Sequence, residues 1–560
     1  MIESKRDKVQ KIAIVILTLF AIVNIELLFL KLIKIDISII SLYTRISIIF
    51  LTLYISYRLI KNGVTVQRLL NLLPDIIFIL IGLLIKDSER VFQFYLIGRQ
   101  TLSLLNLKSV SNPKSTFIDK LSDNPPVLVM LTFFLAIFIG SLLLMLPAAT
   151  SQGEETSLLG ALFTSTSATC VTGLIVYDTG THFTIFGQII ILALIQIGGL
   201  GIMTISSAFA IILGQKLSLK RESIMQNVIG ESNKLDMINL VKNVVIVTIT
   251  LELLGAVILY FTFISKLYPI NQALYHSIFH SISAFCNAGF CLYPDSLMRY
   301  LDNFNINFVI TSLIILGGIG FPVMKDIQRT IKNKFRFKRL TLHSKIVLSA
   351  TLILLLLGTI AFFISEYNNE MKGFSFPNRL FASYFQSVTT RTAGFNTMDT
   401  TNLSKGSSFV SGILMFIGAS PGSTGGGVKT TALVVVFIAV VAMFRGHKDV
   451  NIFKRKVSQN IIKKVMALVA ASVAFLALMI FLLLLFEPFT LEKTIFEAIS
   501  AFGTVGLSMG ITSRLSEAGK IIIVLLMYIG RVGPLTLMFA ISQTKDRSYF
   551  TYTEERISIG

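Results

Sequence analysis

The sequence lacks tryptophan altogether and has few charged residues. Asp, Glu, Lys and Arg make up 14% of the 560 residues, whereas an ordinary soluble protein has about 25%. Because 53% of the residues are hydrophobic, the composition argues against a soluble enzyme. Any aromatic belt at a membrane interface must come from the 15 Tyr and 44 Phe.

Cysteine is also scarce. Cys170, Cys286 and Cys291 are the only three in the chain. They form neither a C-x-x-C pair nor a metal-ligand spacing, so they give no indication of the redox compartment.

Long apolar runs, in contrast, are abundant. Val127 to Leu146, Phe186 to Leu213 and Val465 to Phe486 reach the roughly 20 residues that cross a bilayer as a helix. These runs predict an all-α polytopic membrane protein. The first run, Ile12 to Leu30, has no small-residue cleavage site and precedes further runs. We therefore interpret it as a retained helix rather than a signal peptide.

The charge of the chain is asymmetric, with 50 Lys and Arg against 30 Asp and Glu. The basic residues cluster in the N-terminal segment and between pairs of apolar runs, at 216–234, 325–339 and 445–464. By the positive-inside rule these segments and both termini are predicted to be cytoplasmic. The clusters are expected to face anionic lipid, with docking of a cytoplasmic partner as the alternative. They do not indicate binding of nucleic acid.

Four short segments of the chain align with one another. Each ends in what we call an anchor glycine: Gly173, Gly289, Gly394 and Gly506. A second glycine follows 24 to 28 residues later in each unit: Gly198, Gly317, Gly418 and Gly530. Each unit contains a long apolar segment, a short half-apolar segment ending at the anchor glycine, and another long apolar segment. This pattern predicts a helix, a re-entrant pore helix with its loop, and a second helix, repeated four times.

Non-helical backbone at membrane depth is tolerated only where protein buries it or where it lines a water-filled path. Four such loops around a common axis would direct carbonyl groups inward, where they replace the hydration shell of an ion. Glycine permits positive φ and leaves no side chain in the ring. The repeats therefore predict a pseudo-fourfold ion pore. The alternative is that the glycines only allow close helix packing, which suits Gly198 and Gly317 best.

Four motifs resemble those of a known family: Cys-Val-Thr-Gly-Leu at 170–174, Asn-Ala-Gly-Phe at 287–290, Thr-Arg-Thr-Ala-Gly-Phe-Asn at 390–396, and Gly-Ala-Ser-Pro-Gly-Ser-Thr-Gly-Gly-Gly-Val-Lys-Thr at 418–430. With these motifs the chain, from about Asn124 onward, resembles the Trk/Ktr/HKT superfamily of potassium transporters, in particular its KtrB- and TrkH-like membrane subunits. The resemblance implies potassium uptake through a selective, gated pore in the plasma (inner) membrane, without enzymatic activity or a covalent cofactor. It also implies a homodimer, a cytoplasmic nucleotide-binding regulatory subunit of the KtrA/TrkA type, and sodium as a candidate activator.

In this family, glycine in all four loops accompanies potassium selectivity. The ion-binding carbonyls are expected at each anchor glycine and the two residues before it: Val171, Thr172, Gly173, Asn287, Ala288, Gly289, Thr392, Ala393, Gly394, Thr504, Val505 and Gly506. Behind these loops, Arg391 and Glu497 are expected to buttress the filter. Acidic residues also follow three anchors and could raise the local cation concentration or serve as ordinary helix caps: Asp178, Asp295 and Asp399.

The glycines and proline of 418–430 cannot persist as a straight helix. A phosphate-binding loop is excluded because Val428 stands where that motif requires glycine. The resemblance implies an intramembrane gating loop that Arg531 holds closed. The expected obstructing residues within it are Gly422, Gly425, Gly426, Gly427 and Lys429.

We predict five parts: an accessory transmembrane bundle of about four helices (1–123), repeat 1 (124–215), repeat 2 (216–324), repeat 3 with its gating loop at 418–430 (325–450), and repeat 4 with a short tail (451–560). Two alternative functions remain open. One is a sodium-coupled or sodium-permeable transporter of the same superfamily. The other is a voltage-sensor-bearing cation channel, but the fourth apolar stretch, with Arg90 and Arg99, lacks arginine at every third position.

Overall fold

A computed structural model describes residues 125–151, 156–212, 234–332, 337–447 and 449–533. The predicted bundle at 1–123, the voltage-sensor alternative and the C-terminal tail lie outside these residues.

The regular structure of the described residues is helical apart from one short hairpin of two two-residue strands. The first unit contains α1 (Pro125–Leu144), α2 (Leu158–Thr169), α3 (Thr179–His182) and α4 (Ile185–Ile212). The second contains α5 (Lys234–Ser265), α6 (Ile270–Phe285), α7 (Phe304–Ile319) and α8 (Phe321–Lys332). In both units a longer helix is followed by a shorter helix, a loop and a further helix.

The third unit contains α9 (Leu342–Glu366), α10 (Phe376–Thr389), α11 (Lys405–Phe416) and α12 (Thr430–Phe444). The hairpin β1 (Asn451–Ile452) and β2 (Arg455–Lys456) follows, and the fourth unit contains α13 (Gln459–Phe486), α14 (Leu491–Gly503) and α15 (Glu517–Val532). Short 3-10 turns lie at Pro147–Ala149, Met298–Tyr300, Phe337–Arg339, Thr400–Asn402 and Thr512–Arg514.

Several helices begin at a residue whose side-chain oxygen accepts a backbone N–H of the first turn, an arrangement that stabilises helix N-termini. These capping residues are Ser157, Asp178, Asn303, Thr341, Ser404 and Ser516.

Among the described residues, three helices are long and apolar enough to cross a membrane, judged by length and composition: Lys242–Ser265, Leu342–Glu366 and Gln459–Phe486. A bent pair, Phe304–Ile319 and Phe321–Ile331, would make a fourth span, with 98° between its halves. The bend occurs at Gly320, whose φ of +97° favours glycine. The basic residues Lys325 and Arg329 therefore lie on helix α8 rather than in the loop expected from the sequence.

The predicted break in the third unit is present. Helix α11 ends at Phe416 and α12 begins at Thr430, and the backbone between them folds back on itself. Gly418 N donates to Val428 O at 2.9 Å, pairing the two ends of this non-helical segment.

The short helices α2, α6, α10 and α14 lie where the sequence predicts pore helices, and we use that name for them. The first three units share one packing contact between their first helix and their pore helix. A glycine on the first helix lies so close to a pore-helix serine that a Cβ would come within 3.0 Å of its Oγ, in the pairs Gly140 with Ser165, Gly255 with Ser281, and Gly358 with Ser387. Each serine donates to the carbonyl three residues before that glycine, namely Ile137 (2.7 Å), Glu252 (2.6 Å) and Leu355 (2.9 Å). Ile137, Glu252 and Leu355 are therefore equivalent positions.

Candidate functional site

The loops after the four pore helices share an unusual backbone conformation. The anchor glycines have φ between +70° and +93°. The residue two positions earlier also has positive φ in every loop: Val171 (58°), Asn287 (61°), Thr392 (72°) and Thr504 (51°). Because side chains are disfavoured in this region, four such residues at equivalent positions show that tertiary contacts impose the loop shape.

The loops meet in a closed ring. A Cβ at each anchor glycine would come within 3.0 Å of the carbonyl oxygen before the next anchor, in the pairs Gly173 with Ala288 O, Gly289 with Ala393 O, Gly394 with Val505 O, and Gly506 with Thr172 O. The contacts run from the first loop to the fourth and back to the first. Four backbone oxygens thus lie at equivalent places in one ring.

The pore helices direct their C-terminal ends toward this ring. Their C-caps are Cys170, Cys286, Thr390 and Thr504. A helix C-terminus carries a partial negative charge and favours a nearby cation. Helix ends and carbonyl oxygens therefore act in the same direction and favour a cation on the axis.

Pore-helix hydroxyl groups support the loops, and the sequence interpretation did not identify them. Gly173 N donates to Ser167 Oγ and Gly506 N to Ser500 Oγ, both at 3.1 Å. In the middle two loops, Ser283 Oγ donates to Phe290 O (2.8 Å) and Thr389 Oγ1 to Phe395 O (2.5 Å). Serine six residues before three of the anchors was the available signal. In the third loop the hydroxyl is one residue closer to its anchor.

The second glycines serve close packing in three units. A Cβ at Gly198, Gly317 or Gly530 would lie within 3.0 Å of a pore-helix carbonyl, of Thr169, Phe285 or Phe502 respectively. Close packing, the alternative considered from sequence, therefore accounts for these three. Gly418 differs because it faces Gly426 and Gly427 of its own loop.

The 418–430 loop lies directly against the ring. A Cβ at Gly425 or Gly426 would come within 3.0 Å of the hydroxyl of Thr392 or Thr504, two of the residues with positive φ. Gly426 N donates to Thr504 Oγ1 at 3.0 Å. The loop therefore contacts the third and fourth ring segments.

Backbone bonds tie the same loop to two other units. Ser420 N and Thr424 N donate to Gly318 O (3.1 Å) and Gly317 O (3.2 Å) in the second unit. Gly427 N donates to Gly530 O in the fourth unit at 3.3 Å. The loop is thus fixed mainly through backbone groups, which explains its high content of small residues.

Two cationic side chains bind carbonyls in this region. Arg531, 3% exposed, donates through Nη1 to Thr424 O in the loop and through Nη2 to Gly198 O in the first unit. Lys429 Nζ donates to Gly425 O at 2.7 Å. Arg531 therefore has the carbonyl partners expected of a charge inside an apolar helix, whereas Lys429 binds within its own loop.

The two residues expected behind the filter differ in their surroundings. Arg391 is 8% exposed and lines a small cavity with Thr351, Gly318 and Ala419. Within the described residues its Nε has no hydrogen-bond partner. Glu497 instead accepts from Ser508 Oγ at 2.8 Å and from Thr512 Oγ1, so it holds the segment that follows the fourth anchor.

The three acidic residues after the anchors have local partners. Asp178 accepts from Thr181 N at 2.8 Å and Asp399 from Thr401 N at 2.9 Å. Asp295 pairs with Arg299 at 2.5 Å, and this hydrogen bond holds the pKa of Asp295 below its usual range. Capping and pairing thus account for these carboxylates.

Similar proteins were found by sequence and by structure. The chain is 44% identical over 438 residues to Ktr system potassium uptake protein B of Bacillus subtilis. The aligned region covers 78% of this chain and 97% of that relative. The chain is 38% identical to the protein of the same name from Vibrio alginolyticus, covering 79% of this chain and 96% of the relative. It is 39% identical to the potassium/sodium uptake protein NtpJ of Enterococcus hirae, covering 78% and 97%.

The fold is similar to the crystal structure of the potassium transporter TrkH from Vibrio parahaemolyticus. The TM-score is 0.63 at 18% identity, over 85% of this chain and 97% of that chain. The prediction of an all-helical multi-pass membrane protein is confirmed at this level. A family model described as TrkH, cation transport protein, matches residues 92–550, which includes part of the segment assigned to the accessory bundle. These matches confirm the resemblance seen in the four motifs: the chain belongs to the TrkH cation transport protein family.

Proposed function

We propose that this chain takes up potassium through a selective, gated pore, as the membrane subunit of a Trk/Ktr-type system. The observation that carries the proposal is the closed ring of four carbonyl oxygens, from Thr172, Ala288, Ala393 and Val505. Such a ring replaces the hydration shell of a dehydrated cation. Both Ktr system relatives named above are potassium uptake proteins, which supports potassium as the substrate.

In this proposal the four units, 124–215, 216–324, 325–450 and 451–560, surround a pseudo-fourfold axis. The ion-binding segments are 171–173, 287–289, 392–394 and 504–506. The ring contacts support this arrangement because each loop touches the next in chain order. The N-terminal 1–123 forms an accessory bundle, and both termini are cytoplasmic.

The 418–430 loop acts as the gate. It lies against Thr392 and Thr504, where it can obstruct an ion leaving the ring. Gly422, Gly425, Gly426, Gly427 and Lys429 form the obstruction, and Arg531 stabilises the closed position through Thr424 O. Opening requires the loss of these bonds.

Two partners complete the proposed system: a second copy of the chain and a cytoplasmic nucleotide-binding regulatory subunit. The name of the Ktr system relatives supports an assembly of several components. Sodium is proposed as an activator rather than as a bound cofactor.

A pore that also carries sodium is the second candidate function. It is favoured by the Enterococcus hirae relative, a potassium/sodium uptake protein. Competition experiments separate the two functions, because a selective potassium pore maintains potassium uptake in excess sodium.

Potassium-limited growth of a transporter-deficient cell tests the proposal. The chain is expressed with and without a regulatory subunit, and uptake is measured with increasing sodium. We expect growth rescue that is strongest with the regulator and resists sodium. Absence of potassium uptake by protein that reaches the membrane would overturn the proposal.

A further inference from the structure

Glu252 is a buried carboxyl group where the first and third units have apolar side chains. It is 6% exposed and lies in the middle of the Lys242–Ser265 span. The equivalent positions are Ile137 and Leu355, as defined by the shared serine bond. Packing at this position therefore does not require an acid. Because a carboxyl group inside a membrane is costly, its presence indicates a function.

The partners of Glu252 connect the first unit to the second ring segment. Gln196 Nε2 on α4 donates to Glu252 Oε2 at 3.2 Å. The Cys286 thiol lies 3.8 Å from Glu252 Oε1 and 3.6 Å from Gln196 Oε1, within reach of either acceptor. Gly199 makes room for the thiol, because a Cβ there would be 2.5 Å from Sγ. Glu252, Gln196 and Cys286 thus form one buried polar cluster.

Cys286 is the C-cap of α6 and directly precedes Asn287, whose positive φ begins the second ring segment. A shift of Cys286 would displace Asn287 and then the ring carbonyl of Ala288. The residues three positions before the other anchors are Cys170, Arg391 and Gly503. The first loop thus also has a cysteine here, but Cys170 lies in an apolar cluster with Ile137. What distinguishes the second unit from the first is therefore the carboxyl group beside the thiol.

We propose that Glu252 is a positioning residue for cation discrimination, acting through Cys286 to hold the second ring segment against the first unit. This inference rests on the proposed potassium pore. The neutral donors Gln196 and Cys286 place the carboxyl group, and the carboxyl group in turn limits movement of the loop that follows Cys286.

The test compares Glu252→Leu, which supplies the residue of the third unit, with Glu252→Gln, which retains an acceptor. Inhibition of potassium uptake by sodium and the maximal uptake rate are measured separately in proteoliposomes. We expect Glu252→Leu to weaken discrimination about tenfold, or about 1.4 kcal/mol, the scale of one net hydrogen bond. Glu252→Gln should restore most of it. Thr248→Val is the matched control, because Thr248 lies one turn away, is buried, and has no partner for its hydroxyl among the described residues.

Two further variants test whether Glu252 acts through Cys286: Cys286→Ala alone, and Cys286→Ala combined with Glu252→Leu. If Glu252 acts through Cys286, the double variant discriminates between potassium and sodium as well as either single variant does. Cys286→Ser should then retain the parental discrimination. Additive losses, or parental discrimination in folded Glu252→Leu, overturn the inference. If Glu252→Leu does not fold, the Cys286 variants test the inference instead: Cys286→Ala should lose discrimination and Cys286→Ser should retain it, and equal discrimination in both would overturn it. Failure of the parental chain to transport potassium instead overturns the proposed function.

Discussion

The anchor glycines occupy positions where a side chain has neither space nor a favourable backbone conformation. At Gly173, φ is +90° and a Cβ would lie 2.5 Å from Ala288 O. That oxygen belongs to the proposed ion site. A side chain there must displace the oxygen or distort the loop.

We expect Gly173→Ser to lower potassium over sodium discrimination. The left-handed conformation costs a side chain about 1 to 2 kcal/mol, and displacement of Ala288 O widens one side of the ring. Competitive uptake of potassium in the presence of sodium measures the effect. We expect a change of about tenfold, which corresponds to about 1.4 kcal/mol.

Gly373 provides the matched control for this substitution. Its φ is +95°, yet a Cβ there would have nothing within 4 Å. Gly373→Ser therefore tests backbone strain without contact with the ring, and discrimination should stay at the parental value. Unchanged selectivity in serine variants of all four anchors would contradict the filter assignment.

Arg531 is the second side chain with a testable role. Arg531→Gln keeps some hydrogen bonding but removes the charge, and charge-assisted bonds are about twice as strong as neutral ones. The closed state should lose about 1 to 3 kcal/mol. Potassium flux without the regulatory subunit should therefore rise, up to about 100-fold if closure normally dominates.

Arg514→Gln is the control for Arg531, because Arg514 also binds a carbonyl, Gly510 O (2.9 Å from Nη2), but in an exposed loop. Its regulator-free flux should match the parental chain. Parental flux in Arg531→Gln at normal expression would show that this arginine only ties helices together.

The 418–430 segment leads to a prediction about a whole element. Deleting Gly422 to Gly427 should raise flux, because these residues are proposed to obstruct rather than conduct. Uptake of a potassium isotope into liposomes that contain the purified protein measures this flux. A monodisperse deletion variant that has lost flux would contradict the gating role.

The helix break in this segment could be predicted because glycine and proline act locally on the backbone. Its partners could not be predicted. Thr392 contacts Gly425 only when the pore loop and the later break of the third unit fold together, and Thr504 contacts Gly426 only when the fourth unit packs against the third. The same is true of Val171, a β-branched residue that local preference would keep out of positive φ. Tertiary contacts override its preference, and a single sequence does not report them.

The bend at Gly320 is another feature that the sequence pattern concealed. The apolar run through α7 and the basic residues after it suggested a span followed by a loop. In the structure Lys325 and Arg329 continue as helix α8 at 98° to α7. The two helices together have the length and composition of a single span, so hydropathy alone does not mark the turn.

At the scale of the whole molecule, the chain is longer than the region that its relatives match. The match to the Bacillus subtilis relative covers 97% of that protein but 78% of this chain, and the family match begins at residue 92. We therefore expect a chain without residues 1–91 to retain potassium uptake in the growth assay. Removal of 1–123, the whole proposed accessory bundle, is the comparison, because it cuts into the family match. Retained uptake would place transport in the four units alone, whereas impaired uptake would show that residues 92–123 contribute. Loss of uptake by a folded chain lacking only 1–91 would contradict this expectation and show that the N-terminal segment is required.

The way the ring closes also sets an order for biosynthesis. The oxygen of Thr172 in the first unit meets Gly506 in the fourth, and Tyr528 in α15 donates to Met130 O in α1 at 2.7 Å. When only the first three units have been inserted, their three loops have polar backbone groups that no fourth loop covers. Exposure of such groups to lipid is unfavourable. The nascent chain therefore acquires a sealed path only when its last unit arrives. We therefore expect a chain that stops between Gly394 and Gly506 to hold three ring segments with an unpaired side, and not a smaller closed channel.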